Sequence, residues 1–228
     1  MTDHMGLVLF GHVVGSRRDS VGSTAWLREL VGQLDEAYAS SRLAPFGFTQ
    51  GDELQGLLAP EADPIEAVLL AALGPGQRHM RWVAVRGSID VDPGASDAPA
   101  TERTGPAFVA ARETIAAARA GRDRLVVVTG QPEVDELLAD LCPALADLLE
   151  ALTGRQRLVA RLALIDGLHQ SEVAGRLNVR RATISVSFSR ARIRSLQRLV
   201  AGIRRVYSSG SSDPWRQGTP GGGPPATG

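Results

Sequence analysis

Residues 6–14 read GLVLFGHVV, a nearly unbroken apolar run closed by Gly15-Ser16. A strand with one face in water alternates apolar and polar residues, so a run without alternation predicts a strand buried on both faces. The period then changes. Trp26, Leu27, Leu30, Val31, Leu34 and Tyr38 recur every three or four residues, the spacing of one face of a helix. Residues 46–50 and 53–58 read as two short strands joined at Gly51-Asp52, a dipeptide suited to a tight hairpin. A helix over 64–73 follows, then a strand over 81–89 and a loop rich in Pro, Ala, Asp and Gly over 92–106. A helix over 107–120, a strand over 125–128 and a helix over 133–149 complete this half. That order predicts an α+β sandwich of ferredoxin-like type, a mixed sheet with helices on one face.

Charge divides the chain more sharply than its total suggests. The 228 residues carry 25 basic and 25 acidic side chains, and every basic residue is arginine. Through Glu150 there are 12 arginines and 22 acidic residues, a net of −10; from Ala151 onward there are 13 and 3, a net of +10. Such asymmetry points to nucleic-acid or membrane contact by one half. The absence of lysine excludes Schiff-base chemistry and a P-loop lysine. An apolar content of 43% can bury a real core. Cys142, the single cysteine, excludes a disulfide framework and reads as a small buried apolar residue. No run approaches the roughly 18 apolar residues of a membrane span, and the N-terminus lacks the form of a signal peptide. A reducing cytoplasm is therefore the expected location, with no membrane partner. The expected division is an α+β domain over 1–150, a helical domain over 151–206 and a disordered Gly, Pro and Ser-rich tail over 207–228.

In the helical segment, Thr153 with Gln156 three residues on forms a capping-box pattern. The helix it opens directs Leu158, Val159, Leu162 and Ile165 toward a core and ends at Asp166-Gly167. Helices over QSEVAGRL and over residues 180–206 follow, joined at Asn178-Val179. A helix-turn-helix needs a small residue at the crossing, a residue tolerant of left-handed backbone at the turn, and apolar positions locking the corner. Ala174 supplies the first and Asn178 the second; Val173, Leu177, Val179 and Ile184 supply the third. Between residues 151 and 206, 12 arginines face only Asp166 and Glu172, the electrostatic footprint of a module that binds double-stranded DNA. An association bundle would show the same apolar periodicity without needing this corner or this charge.

The stretch GLHQSEVAGRLNVRRATISVSFSRARIRSL resembles the promoter-recognition C-terminal domain of sigma factors and the related helix-turn-helix of response regulators, over roughly residues 152–206. The resemblance implies an all-α helix-turn-helix domain whose second helix enters the major groove. Arg181, Ala182, Thr183, Ser185 and Val186 would then face base edges. Gln170, Ser171, Arg180, Arg190, Arg192 and Arg194 would contact phosphates. The chain departs from the family at Arg180, where Ser or Thr usually caps the recognition helix; the missing cap costs about 1 kcal/mol.

In the first half, HVVGSRRD over 12–19, FTQGDELQ over 48–55, and RGSI over 86–89 with GPAF over 105–108 and Ala111-Arg112 together resemble the SatD family. More remotely, the strand before Gly15-Ser16 and the Gly-Asp hairpin are similar to class III nucleotide cyclases, which hold two divalent cations between two aspartates. Asp52 matches the hairpin aspartate, but His12 stands where the other belongs, and a neutral imidazole is a poor ligand for magnesium. Gly15, Ser16, Arg17 and Asp52 are the candidate ligand or phosphate residues, with Asp52 the one weak metal candidate. His12 also reads as a hydrogen-bonded core histidine, Gly51-Asp52 as a plain turn, and Glu53 as solvent-facing. No catalytic residue is assigned and no cofactor is required; magnesium or a nucleotide belongs to the alternative reading.

The sequence thus predicts a DNA-binding transcriptional regulator with an N-terminal sensing or homodimerising domain. Nothing in its first half resembles the basic, aromatic helices that melt a promoter, so a complete sigma factor is not expected. The alternatives are a metal-dependent, cyclase-like nucleotide-binding enzyme and an adaptor that meets RNA polymerase through the sigma-like helices.

Overall fold

The computed structural model describes residues 4–16, 20–49, 52–90 and 98–210. Over the first half the elements are β1 (His4–Val13), α1 (Ser20–Ala37), β2 (Arg42–Thr49), β3 (Glu53–Leu58), α2 (Pro64–Leu73), β4 (Met80–Ile89), α3 (Pro106–Gly121), β5 (Leu125–Val128) and α4 (Pro132–Glu150). Four helices follow: α5 (Gly154–Leu164), α6 (Gln170–Arg176), α7 (Arg181–Arg190) and α8 (Ile193–Ser209). The protein is α+β, with a five-stranded mixed sheet and, among the described residues, eight α-helices. The loop expected over 92–106 contains a 3-10 turn at Ala100–Glu102, and its residues 92–97 lie outside the described part.

The sheet runs in the order β2-β3-β1-β4-β5. β1 lies antiparallel to both neighbours, and β4 pairs parallel with β5. The apolar run places β1 at the centre, because only a central strand can bury alternate side chains on both faces. Leu7, Leu9 and Val13 enter one cluster, Val8 and Phe10 the other. This overturns the expectation of helices on one face. On one side, α3 seats Phe108, Ala111 and Ile115 against Val8, Phe10, Val83 and Val85. On the other lie α1, α2 and α4, through Leu27, Leu34, Ile65, Leu69, Leu138 and Leu145. A sheet with two apolar faces requires two covers, and the crossover from β4 to the parallel β5 supplies the second. At the β2–β3 edge, the Phe46 ring lies over Gly56, where an added Cβ would come within 2.1 Å of it.

The larger cluster does not stop at Glu150. It runs through Leu149 and Leu152 to Val159, Ile184, Leu196, Ile203 and Tyr207, so the last four helices share buried surface with the sheet's α1/α2/α4 face. α8 is the main tie. Tyr207 is buried, its hydroxyl donates to the Pro60 carbonyl at 3.0 Å, and the Arg86 guanidinium stacks 4.1 Å from its ring centre. Arg86 donates Nε to the Pro60 carbonyl and Nη1 to the Gly210 carbonyl, both at 2.8 Å. Arg204 reaches Asp63, the N-cap residue of α2. The helix therefore continues three residues past the expected boundary at 206. Residues 211–228, the rest of the expected tail, lie outside the described part.

A second departure lies inside the long helix expected over 180–206, which breaks at Arg192 (φ 51°). Ile184, Phe188 and Ala191 form one buried stripe whose next member would be residue 195, an exposed serine. The apolar stripe resumes out of phase at Ile193, Leu196, Val200, Ile203 and Tyr207. A single left-handed residue rotates the second stripe back toward the core. Cys142 is fully buried, as expected, and burial pushes its thiol pKa up to about 12. Among the described residues, no helix is long and apolar enough to cross a membrane.

Candidate nucleic-acid interface

α5 begins with the capping box legible in its sequence. Gln156 N–H donates to Thr153 Oγ1 at 3.4 Å, and Thr153 N–H donates to Gln156 Oε1 at 2.8 Å. The helix buries Val159, Ala160, Leu162 and Ala163, while Leu158, expected inside, is 45% exposed. A turn through Gly167 (φ 67°) leads to α6, where His169 N–H donates to Glu172 Oε2 at 2.7 Å. The corner between α6 and α7 depends on Asn178, whose φ of 51° is left-handed. Its N–H donates to the Gly175 carbonyl at 3.2 Å and that of Val179 to Ala174 at 3.0 Å, so the reversal satisfies carbonyls at the end of α6. Val173, Ala174 and Ile184 are buried at the corner, and Leu177 and Val179 are half-buried against them.

Burial of Ile184 and Phe188 fixes which face of α7 points outward. Arg181, Ala182, Thr183, Ser185 and Val186 are all exposed, Val186 by half. Arg180, at the N-cap position, makes no side-chain cap, as its residue type predicts. Ser171, Arg190, Arg192 and Arg194 are exposed and Gln170 is half-buried. Gln170, Ser185, Ser189, Arg192 and Arg194 line a cleft of about 310 Å³ between α6 and the α7–α8 junction. Among the described residues, no ion pair engages Arg180, Arg181, Arg190, Arg192 or Arg194, whereas Arg42, Arg119, Arg124 and Arg204 are paired with Asp35, Glu53, Glu150 and Asp63. Among the described residues, the five arginines around α7 are without an ion pair, whereas Arg42, Arg119 and Arg124 of the α+β half and Arg204 of α8 each have one.

The candidate residues of the first half gather at one end of the sheet. Ser16 Oγ donates to Asp52 Oδ2 at 2.7 Å, and His12 Nε2 lies 3.4 Å from the same oxygen. The register places His12 between Glu53 on β3 and Arg81 on β4. Glu53, expected to face solvent, forms a 3.1 Å ion pair with Arg119 of α3, and Arg81 Nε donates to the Asp123 carbonyl at 2.7 Å. Burial holds the His12 pKa below its usual value; Arg119 and Arg81 reinforce this, while Asp52 and Glu53 oppose it. Its Nδ1 is buried without a hydrogen-bond partner among the described residues. Gly15 has a φ of 77° and open space around it; Arg17 and Gly51 lie outside the described residues.

This donor set does not fit a pair of divalent cations. Asp52 accepts a hydrogen bond from Ser16 and faces an imidazole, Glu53 is held by an arginine, and no group of three or more His, Cys, Asp or Glu among the described residues is arranged to hold a metal. Sequence reading missed the ties that Arg86 makes to Tyr207 and Gly210 and that Arg204 makes to Asp63, 121 or more residues away along the chain; no local pattern marks such pairs. No family model and no curated protein matches the chain.

Proposed function

We propose that the protein is a DNA-binding regulator that reads duplex DNA through a helix-turn-helix formed by α6 and α7. The observation that carries this reading is the set of exposed arginines around α7 without acidic partners among the described residues. Arginines at 180, 181, 190, 192 and 194 left unpaired beside an outward-facing helix suit a polyanion, because releasing the counterions condensed on DNA drives such binding. Arg181, Ala182, Thr183, Ser185 and Val186 are then the base-facing set, and Val186 suits the methyl group of thymine. Gln170, Ser171, Arg180, Arg190, Arg192 and Arg194 are the phosphate-facing set.

In this reading the chain divides near residue 151 into a SatD-like domain and a sigma-like one. The strand order β2-β3-β1-β4, with α1 and α2 on one face, supports a ferredoxin-like description of the first, extended by β5 and α3. The acidic first half stays away from the duplex, where it senses a ligand or pairs two copies. Retention on duplex DNA that weakens steeply with added salt is the expected result. A protein that passes through duplex DNA unretained at low salt sinks the proposal, and a melting temperature raised by magnesium with a nucleoside triphosphate, and not in Asp52→Ala, would favour the enzyme instead.

A further inference from the structure

α4 has two opposite faces. Leu138, Cys142, Leu145 and Leu149 enter the core, while Glu133, Glu136, Asp140 and Asp147, at spacings of three, four and seven residues, lie exposed on the other side. With a helical rise of roughly 1.5 Å per residue, the four carboxylates form a stripe about 21 Å long. Leu137, beside them, is 53% exposed. Among the described residues, no ion pair or side-chain hydrogen bond engages any of the four, whereas Asp35, Glu53, Asp63 and Glu150 each hold an arginine.

The same chain carries the complement of this face. α7 turns out Val186, 50% exposed, with exposed arginines at 180, 181, 190, 192 and 194 around it, none of them in an ion pair among the described residues. Arg180 to Arg190 spans about 15 Å by the same rise, within the length of the α4 stripe. Within one chain the two faces do not pair: both helices turn their other sides into one buried cluster, and among the described residues no ion pair joins α4 to α7. We propose that α4 of one copy docks on α7 of a second copy, its four carboxylates against the arginines and Leu137 against the apolar surface at Val186. Single exposed ion pairs contribute little, but several arrayed around a desolvated apolar centre select partner and register. The two faces differ, so the contact is head-to-tail. It occupies the arginines assigned above to DNA, so self-association and DNA binding exclude each other. The association itself does not rest on DNA binding, and its test contains no DNA.

The experiment is sedimentation velocity of the full chain, freed of nucleic acid, over a concentration series. At about 0.1 M sodium chloride, where charges are screened over roughly 10 Å, the sedimentation coefficient should rise with concentration; at about 1 M, where screening acts over roughly 3 Å, the apparent Kd should weaken at least about tenfold. Leu137→Arg and Val186→Glu, each at a half-exposed position and changing the net charge by one, should each weaken self-association at least about tenfold. Mixed in equal amounts, the two variants should pair as tightly as the unaltered protein, because α7 of the first and α4 of the second are both intact. A surface that was merely damaged would not recover on mixing. The proposal is overturned if the unaltered protein stays monomeric up to about 0.5 mM, where even a millimolar Kd would pair a sizeable fraction of the copies. That is also the result if a different basic partner, or residues 211–228 of the same chain, covers α4. It is equally overturned if the association is unchanged at the higher salt, if either variant associates like the unaltered protein, or if the mixed variants do not pair.

Discussion

At the scale of single residues, three side chains have consequences that can be measured. Asn178 holds a left-handed backbone, which non-glycine residues other than Asn and Asp adopt at a cost of roughly 1–2 kcal/mol. Asn178→Ala should therefore lose about 1 kcal/mol in urea unfolding, and Asn178→Gly should lose much less. His12 has a lowered pKa, so as pH falls through about 6.5 the unfolded chain takes up a proton that the folded protein resists binding. Its contribution to stability is present above that pH and is lost below it. A Tm that declines from pH 8 to pH 5 should decline less in His12→Gln; an unchanged slope would refute the assignment. Under the proposed function, Arg181→Ala should cost about 1–3 kcal/mol at a specific site, whereas Arg192→Ala should weaken all sequences alike. Binding titrations on specific and random duplexes separate the two. Asn178 was legible because its chemistry is local, a short polar side chain between two helical patterns. The environment of His12 was not, since its partners arrive from β3, β4 and α3.

At the scale of elements, apolar phase accounts for both the successes and the failures of sequence reading. The unbroken run over 6–14 places a strand correctly at the centre of the sheet, and its ends shift only to His4–Val13. The run also implies two covering layers, although the order of elements alone suggested one. Helix 180–206 reads as continuous until the phase is followed to Ser195, and the break at Arg192 restores burial to Ile193 and Leu196. α7 begins without a side-chain cap, so Arg180→Thr should add about 1 kcal/mol to stability. If Arg180 contacts a phosphate, the same substitution should lower the salt slope of DNA binding by about one. Opposite signs in the two measurements would distinguish a local helix effect from an interface effect.

At the scale of the whole molecule, α8 joins the helical C-terminal segment to the sheet. Tyr207 is 3% exposed, between the Arg86 guanidinium and the Pro60 carbonyl, and burial pushes its phenol pKa up to about 12, with Arg86 opposing. Tyr207→Ala should cost about 3–5 kcal/mol, the range for removing a buried aromatic, and urea unfolding followed at the tryptophans, two of which, Trp26 and Trp82, lie in the α+β half, should report the loss. An unchanged midpoint would mean that α8 is not a structural tie. The sequence by itself determined what depends on neighbours along the chain: the capping box at Thr153, the corner at Asn178, the apolar strand over 6–14, and the concentration of arginine after residue 150. Only the tertiary structure decided which arginines are neutralised. Arg119, Arg124 and Arg204 find carboxylates brought from distant segments, while those around α7 find none among the described residues. Charge pairing acts through space over a few ångströms, and no spacing in a sequence encodes which distant carboxylate will arrive there.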